Sequence, residues 1–265
     1  MAIAKYADVE SFAKEQFARA QLAASRIRFA KEAYTLNEEI RATMIAYEPE
    51  FASLPTSFGM AAWTCILSVD LRGSSERAVR LGAKPTYLTM HTYMPTMCQL
   101  VANAGGEIVG LRGDGLFAAF GLTDTEDEEK VREVGSGAVQ DATLCGKAMI
   151  EATEEIVSGI LEDNGIEGGL RVGVGISVGE IVVTRIGLFD ANEVTAYGPP
   201  VNQACKLSGQ TAKVLLHPNA KRVYPSSSGG RVRLRHYDQW FLVEFPSDMY
   251  MLERFSSPLI QKRMR

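Results

Sequence analysis

Residues 63–71, WTCILSVDL, constrain this chain more than any other segment. The run is apolar, rich in β-branched and aromatic residues and bounded by Gly73, so it reads as a buried strand. It is far shorter than the roughly 20 apolar residues of a membrane span. It ends on a carboxylate, Asp70, immediately before a glycine turn and a serine pair, Ser74 and Ser75, that suits the N-cap of a helix. That helix is expected to run, with interruptions at Pro85 and Pro95, to Asn103, where Gly105 and Gly106 end it.

Two short strand patterns follow, EIVGLR (107–112) and GLFAAF (115–120), with Gly113-Asp114 between them as hairpin punctuation. A polar acidic stretch then leads into a long amphipathic helix ending near Asp163. A second hairpin is expected over LRVGVGISV and EIVVTRI, turning at Gly179-Glu180. Residues 201–212 read as a helix entered through Pro199-Pro200, and short strand signals recur at 213–216, 231–235, 239–244 and 249–252. Upstream, residues 8–46 place Phe12, Phe17, Leu22, Ile27, Phe29, Ile40 and Met44 at roughly helical spacing without glycine or proline. The expected organisation is α+β: a β-α-β-β-α-β core of ferredoxin-like order, with a helical N-terminal extension over 1–55 and the main domain over 56–265.

Composition narrows the function. The 28 Lys and Arg against 32 Asp and Glu leave a formal charge of −4, which argues against nucleic acid or an anionic membrane as partner. No apolar leader opens the chain, so a soluble cytoplasmic protein is expected. Cys65, Cys98, Cys145 and Cys205 form no CxxC pair, and His91, His217 and His236 form no HExxH or HxxxH pair, which demotes a zinc site and a histidine-based triad. Gly173, Gly175 and Gly179 miss the dinucleotide-binding spacing and sit in a strand pattern. There is no GxxxxGK[ST].

Two carboxylates remain. Asp70 lies at a strand end beside the free N–H groups of a helix start, and Asp114 at the tip of a glycine-flanked hairpin. Each alone also suits an ordinary role, a cap partner or a turn residue. Together, from one small sheet, they can converge on hard divalent cations, with Gly73, Ser74 and Ser75 offering backbone donors to phosphate groups.

The ordered blocks ILSVDLRGSS, GGEIVGLRGDGLFAAFG, LRVGVGISVGEIVVTRIG and TAYGPPVNQACKL resemble the catalytic domain of class III nucleotidyl cyclases. The resemblance covers about residues 63–220. It implies a site at the interface of a two-fold homodimer, with Asp70, Asp114 and the Leu71 carbonyl holding two Mg²⁺ or Mn²⁺ ions. Asn202, from the other subunit, matches the residue that orients the ribose. Lys206 stands where most members carry a transition-state arginine; it keeps the charge and loses the planar fork.

The positions that read the purine in this family are here Gly110 and Thr195. Arg112, on the same strand face as residue 110, has only donors to offer and suits uracil carbonyls, though a solvated or ion-paired arginine is the ordinary alternative. With DLRGSS and RGDGLFAAFG, this departure is similar to the pyrimidine cyclases of bacterial Pycsar anti-phage systems. By that resemblance the chain would convert UTP to cyclic UMP, which would activate a separate effector such as a transmembrane or TIR-domain protein. A cytidylate or atypical adenylate cyclase, and a catalytically inactive nucleotide-binding module, are the alternatives. Asp248 falls near a position where some members carry a triphosphate-binding lysine.

Overall fold

The computed structural model describes residues 8–24, 54–55, 58–123, 128–188, 191–225 and 230–252. The elements in chain order are α1 (Val9–Ala24), β1 (Gly59–Leu71), α2 (Ser74–Leu81), α3 (Ala83–Asn103), β2 (Glu107–Arg112), β3 (Gly115–Thr123) and α4 (Glu128–Glu151). A π-helical turn (Ala152–Val157) joins α4 to α5 (Ser158–Asp163). Then come β4 (Val172–Leu188), β5 (Ala191–Tyr197), α6 (Pro199–Leu207), β6 (Val214–Leu216), α7 (Pro218–Val223), β7 (Arg233–Tyr237) and β8 (Trp240–Glu244).

The described strands form one sheet in the order β2-β3-β1-β4-β6-β8-β7, with β5 pairing to the far end of β4. The β2-β3-β1-β4 part is antiparallel throughout and is the expected β-α-β-β-α-β unit. Side chains alternate across β1, so the sheet has two apolar faces. Cys65, Leu67 and Val69 enter the larger core beneath α3 and α4. Ala62 and Ile66 enter a smaller one with Val109, Phe117, Ile181, Val194 and Ala204.

The first helix contributes to the larger core. Val9, Phe12, Ala13, Phe17, Ala20 and Ala24 are buried along one stripe of α1, and all but Phe12 belong to the same cluster as Tyr93, Met97 and Leu100 of α3. This is the 3.6-residue period at work: one face apolar, the other carrying the exposed Lys14–Glu10 and Arg19–Glu15 pairs. The rest of the helix expected to residue 46 lies outside the described residues.

Several expectations are corrected. The strand around Gly179 does not turn: β4 runs from Val172 to Leu188, and Thr64 of β1 pairs with Gly179 in an unbroken register. Gly179 (φ 151°) instead takes a positive-φ kink that lets the strand continue, and β5 beyond it went unread. The expected helix over 74–103 breaks at Gly82 (φ 80°) rather than at its prolines. Pro85 lies in the first turn of α3, where its missing N–H costs nothing, and Pro95 is held inside the helix. The N-cap of α2 is Gly73 in the left-handed region (φ 68°), with no capping side chain, because the tight turn out of β1 needs that backbone more than a serine hydroxyl.

Helix α6 ends at Leu207 rather than 212. Residues 249–252 form no strand: the N–H groups of Met251 and Leu252 donate to Glu151 Oε2 at 2.8 and 3.1 Å. A buried carboxylate thus supplies the acceptors a ladder would have. All four cysteines are free; burial pushes the Cys98 thiol up to about 12, and those of Cys65 and Cys145 further. Burial therefore keeps these three as thiols.

Candidate active site

The site begins where three strands end together. Asp70 pairs with Gly115 of β3 on one side and Gly173 of β4 on the other. A Cβ on Gly115 would stand 3.4 Å from Asp70 Oδ1. Two glycines therefore leave the carboxylate free of flanking side chains. Asp114 is the next residue before Gly115, lifted into position by Gly113 at φ 62°, a value few side chains tolerate.

Burial and the nearby Asp114 charge both push the Asp70 carboxyl above its ordinary range, against the pull of Arg72. Like charges held this close favour a cation between them. Arg72 Nη1 sits 2.5 Å from Asp70 Oδ2, at about a third exposure for each side chain. Beneath the pair, the Tyr93 hydroxyl is fully buried without a hydrogen-bond partner, and the Asp70 and Asp114 charges help raise its pKa.

This donor set fits a hard divalent cation: two carboxylates, carbonyl oxygens at the strand end and no nitrogen or sulfur. Among the described residues no group of three or more His, Cys, Asp or Glu side chains gathers to hold a metal. Remaining ligands would be backbone, water or phosphate oxygens. Gly73, Ser74 and Ser75 lie directly after the turn, where the first N–H groups of α2 have no intrahelical acceptor. Helix α2 is itself fixed from behind. The buried Arg77 guanidinium donates to the carbonyls of Glu167 and Gly168, and Arg80 pairs with the Glu167 carboxylate.

Gly110 and Thr195 come together: a Cβ built on Gly110 would meet only Thr195 Oγ1, at 3.7 Å. Thr195 is 3% exposed and Gly110 is buried, so the two adjoin inside the fold, with no side chain offered from the Gly110 position. Arg112 has the same strand parity as Gly110 and is exposed. Asn202 and Lys206, one turn apart, lie on the exposed side of α6. Ser68, two residues before Asp70, donates to Ser208 at 3.2 Å and ties the end of α6 to β1. Among the described residues, no hydrogen bond or ion pair joins Asn202, Lys206 or Arg112 to either aspartate of the same chain.

Sequence reasoning missed Arg72 and Tyr93. Arg72 carried a usable signal, a cation two residues from a strand-end carboxylate. Tyr93 carried none, since its place under the aspartates depends on how α3 lies across the sheet.

Architecture and comparison agree on the class. The chain has the fold of class III nucleotidyl cyclase catalytic domains. It superposes on the adenylyl cyclase CyaB from P. aeruginosa with a TM-score of 0.59 at 18% identity, covering 73% of this chain and 100% of that one. A guanylyl cyclase gives 0.57 at 22%, over 73% and 98%. A class III adenylyl cyclase-like ATP-binding protein from Pseudomonas aeruginosa gives 0.57 at 19%, over 68% and 38%.

Within that class, the sequence is similar to two pyrimidine-nucleotide cyclases. It is 28% identical over 166 residues to a cytidylate cyclase of Escherichia coli, covering 62% of this chain and 35% of that protein. It is 23% identical over 147 residues to a uridylate cyclase of Rhodovulum sp. (strain MB263), covering 54% and 56%. The chain thus spans about a third and about half of the curated relatives it matches. No protein-family model matches it.

Proposed function

We propose that this chain is a metal-dependent pyrimidine nucleotide cyclase acting on UTP. The observation that carries the proposal is the Asp70–Asp114 pair at the end of a sheet whose base-reading positions, Gly110 and Thr195, adjoin with no long side chain between them. In the reaction the ribose 3′-oxygen, losing its proton, bonds to the α-phosphorus. The bond from that phosphorus to the bridging oxygen breaks, giving 3′,5′-cyclic UMP and pyrophosphate. Divalent cations, Mn²⁺ or Mg²⁺, held by Asp70, Asp114 and the Leu71 carbonyl would supply Lewis acidity at the α-phosphate and offset the charge of the leaving pyrophosphate.

The chain's own groups do the rest. Gly73, Ser74 and Ser75 present α2 N–H groups to the triphosphate. By the resemblance to class III cyclases, Asn202 and Lys206, exposed on α6, serve the site of a second copy in a homodimer. Asn202 of the partner subunit orients the ribose, and Lys206 of the partner subunit offers charge to the developing phosphorane. Arg112 presents donors alone. It favours uracil, with carbonyls at both edge positions, over cytosine, whose 4-amino group is itself a donor. No described helix is long and apolar enough to cross a membrane. The proposed enzyme is cytoplasmic, and its diffusible product acts on a separate effector in anti-phage defence.

Incubating the pure protein with each of the four ribonucleoside triphosphates and Mn²⁺, then separating products by chromatography, tests the reading. Cyclic UMP is the expected main product, and cyclic CMP the outcome that would move the assignment to cytidylate cyclase. Cyclic AMP as main product would overturn pyrimidine specificity. A second reading, a nucleotide-binding module without turnover, is favoured by the likeness to the ATP-binding structure above; it requires binding with no cyclic product from any triphosphate.

A further inference from the structure

Helix α6 carries Asn202 and Lys206 on its exposed side, and a part-buried amide network grips its flank. Gln203 lies between them in sequence. Its Oε1 accepts from Ser177 Oγ of β4 at 2.6 Å and from Asn219 Nδ2 of α7 at 3.1 Å. Asn219 in turn pairs with the backbone of β4 in both directions: Nδ2 donates to the Val178 carbonyl at 2.5 Å, and Oδ1 accepts from the Val178 N–H at 3.3 Å. Its Oδ1 also accepts from the Ala220 N–H at 2.7 Å and lies 3.1 Å from Ser177 Oγ.

The placement is informative. The parallel pairing of β4 with β6 stops at Ile176 and Leu216, and His217 N–H donates to the Ile176 carbonyl at 2.8 Å. Beyond that point the Asn219 amide takes over as a substitute strand for Val178. An amide used this way has both its donor and its acceptor committed, so it is fixed in orientation. Gln203 is the one α6 side chain that reads that fixed point.

Elsewhere α6 is held at its C-cap by the Ser68–Ser208 bond and along its length by Ala204 and Leu207, 0% and 1% exposed, against Gly175 of β4. Apolar contact of this kind resists lifting but is weakly directional about the helix axis. A directional bond is what sets roll, and roll decides where Asn202 and Lys206, one turn apart on the opposite side, aim.

We propose that Gln203 is a positioning residue: through Ser177 and Asn219 it fixes the rotation of α6 and hence the aim of Asn202 and Lys206. This rests on the cyclase reading. The network contacts no residue of the Asp70–Asp114 pair, so its loss leaves cation and triphosphate binding in place and removes only what α6 adds as charge develops. Misaiming a group by about 1 Å can cost on the order of 10²-fold in rate, and an interaction realised in the transition state is lost from kcat rather than KM.

The test compares Gln203→Leu, which keeps volume and removes the acceptor, with Gln203→Glu, which keeps an acceptor oxygen. The readouts are steady-state kinetics on the nucleotide that wild type cyclises, and hydrogen exchange over 199–207. Gln203→Leu is expected to lower kcat about 10- to 100-fold with KM within about threefold and faster exchange in α6, and Gln203→Glu to restore kcat to within about threefold of wild type. Should Gln203→Leu fail to fold, Ser177→Ala, which removes the 2.6 Å donor, carries the same kcat expectation. Wild-type kcat in the leucine variant, or equal losses in leucine and glutamate variants, would overturn the positioning role alone. A wild-type protein with no product from any triphosphate would overturn the cyclase reading and this inference together.

Discussion

Asp70→Asn is expected to lower cyclase turnover by about 10³-fold or more while leaving the metal-free protein as stable as wild type, or more so. On the proposed function, the activity loss follows from removing one of two carboxylates that would hold cations at the reacting phosphate, where electrostatic stabilisation is the largest catalytic contribution. The stability expectation follows from the sign of the Asp70 shift. Burial and Asp114 both favour its protonated form in the folded state. The stability this group contributes is therefore fully present below the usual carboxylate range and lost as pH rises through the raised folded-state value. At neutral pH the ionised side chain is a burden that a neutral isostere relieves. Melting curves of the two proteins without metal should diverge in favour of the asparagine variant from about pH 4 upward. Titration of free Mn²⁺ by electron paramagnetic resonance should show weaker binding by the variant. Undiminished Mn²⁺ affinity would show that Asp70 is not a ligand.

How legible this site was from sequence depends on where each residue gets its position. Asp70 and Asp114 are placed by local rules, a strand end and the glycine-flanked β2–β3 hairpin, and the β-α-β-β order brings that hairpin beside β1, where Asp70 lies opposite Gly115. Their meeting could be read from the chain. Gly110 and Thr195 adjoin, a Cβ on Gly110 falling 3.7 Å from Thr195 Oγ1, only because β5 folds back along β4, a pairing that a turn at Gly179 would not allow. The same glycine that resembles hairpin punctuation keeps a seventeen-residue strand continuous, so the β-strand period survived inspection but its end did not. Tyr93 and Arg77 illustrate the other limit. Both are ordinary helical residues whose surroundings, the charges of the aspartate pair for Tyr93 and the loop at Glu167 for Arg77, are set by tertiary packing.

Net charge misled less than it promised. A formal −4 argues against polyanionic macromolecules, yet the proposed substrate is a small polyanion. The two statements are compatible because the carboxylates meet the triphosphate through cations rather than directly.

Gly175→Ala is expected to destabilise the fold by about 3 kcal/mol or more, while Gly110→Ala, on the same face of the same sheet, should cost about 1 kcal/mol or less. A Cβ on Gly175 would lie 2.0 Å from the Ala204 carbonyl oxygen, 2.5 Å from Leu207 Cβ and 2.7 Å from the Ser208 nitrogen. Two of these are backbone atoms of α6 and its C-cap, so no rotamer change relieves the clash, and the helix must shift by roughly 1 Å to restore contact distances. Gly173 repeats the arrangement, with the carbonyls of Ser208 and Gln210 at 2.2 Å. The glycine pair is thus a track on which α6 lies backbone to backbone. At Gly110 the new methyl meets only a hydroxyl at ordinary van der Waals distance. Thermal unfolding should separate the two variants by several degrees, since about 1 kcal/mol moves the midpoint of a domain this size by roughly 2–4 °C. Gly175→Ala should also lower cyclase turnover even where it remains folded, because a displaced α6 carries Asn202 and Lys206 with it. Equal melting temperatures for the two variants would mean that α6 does not rest on β4 as described.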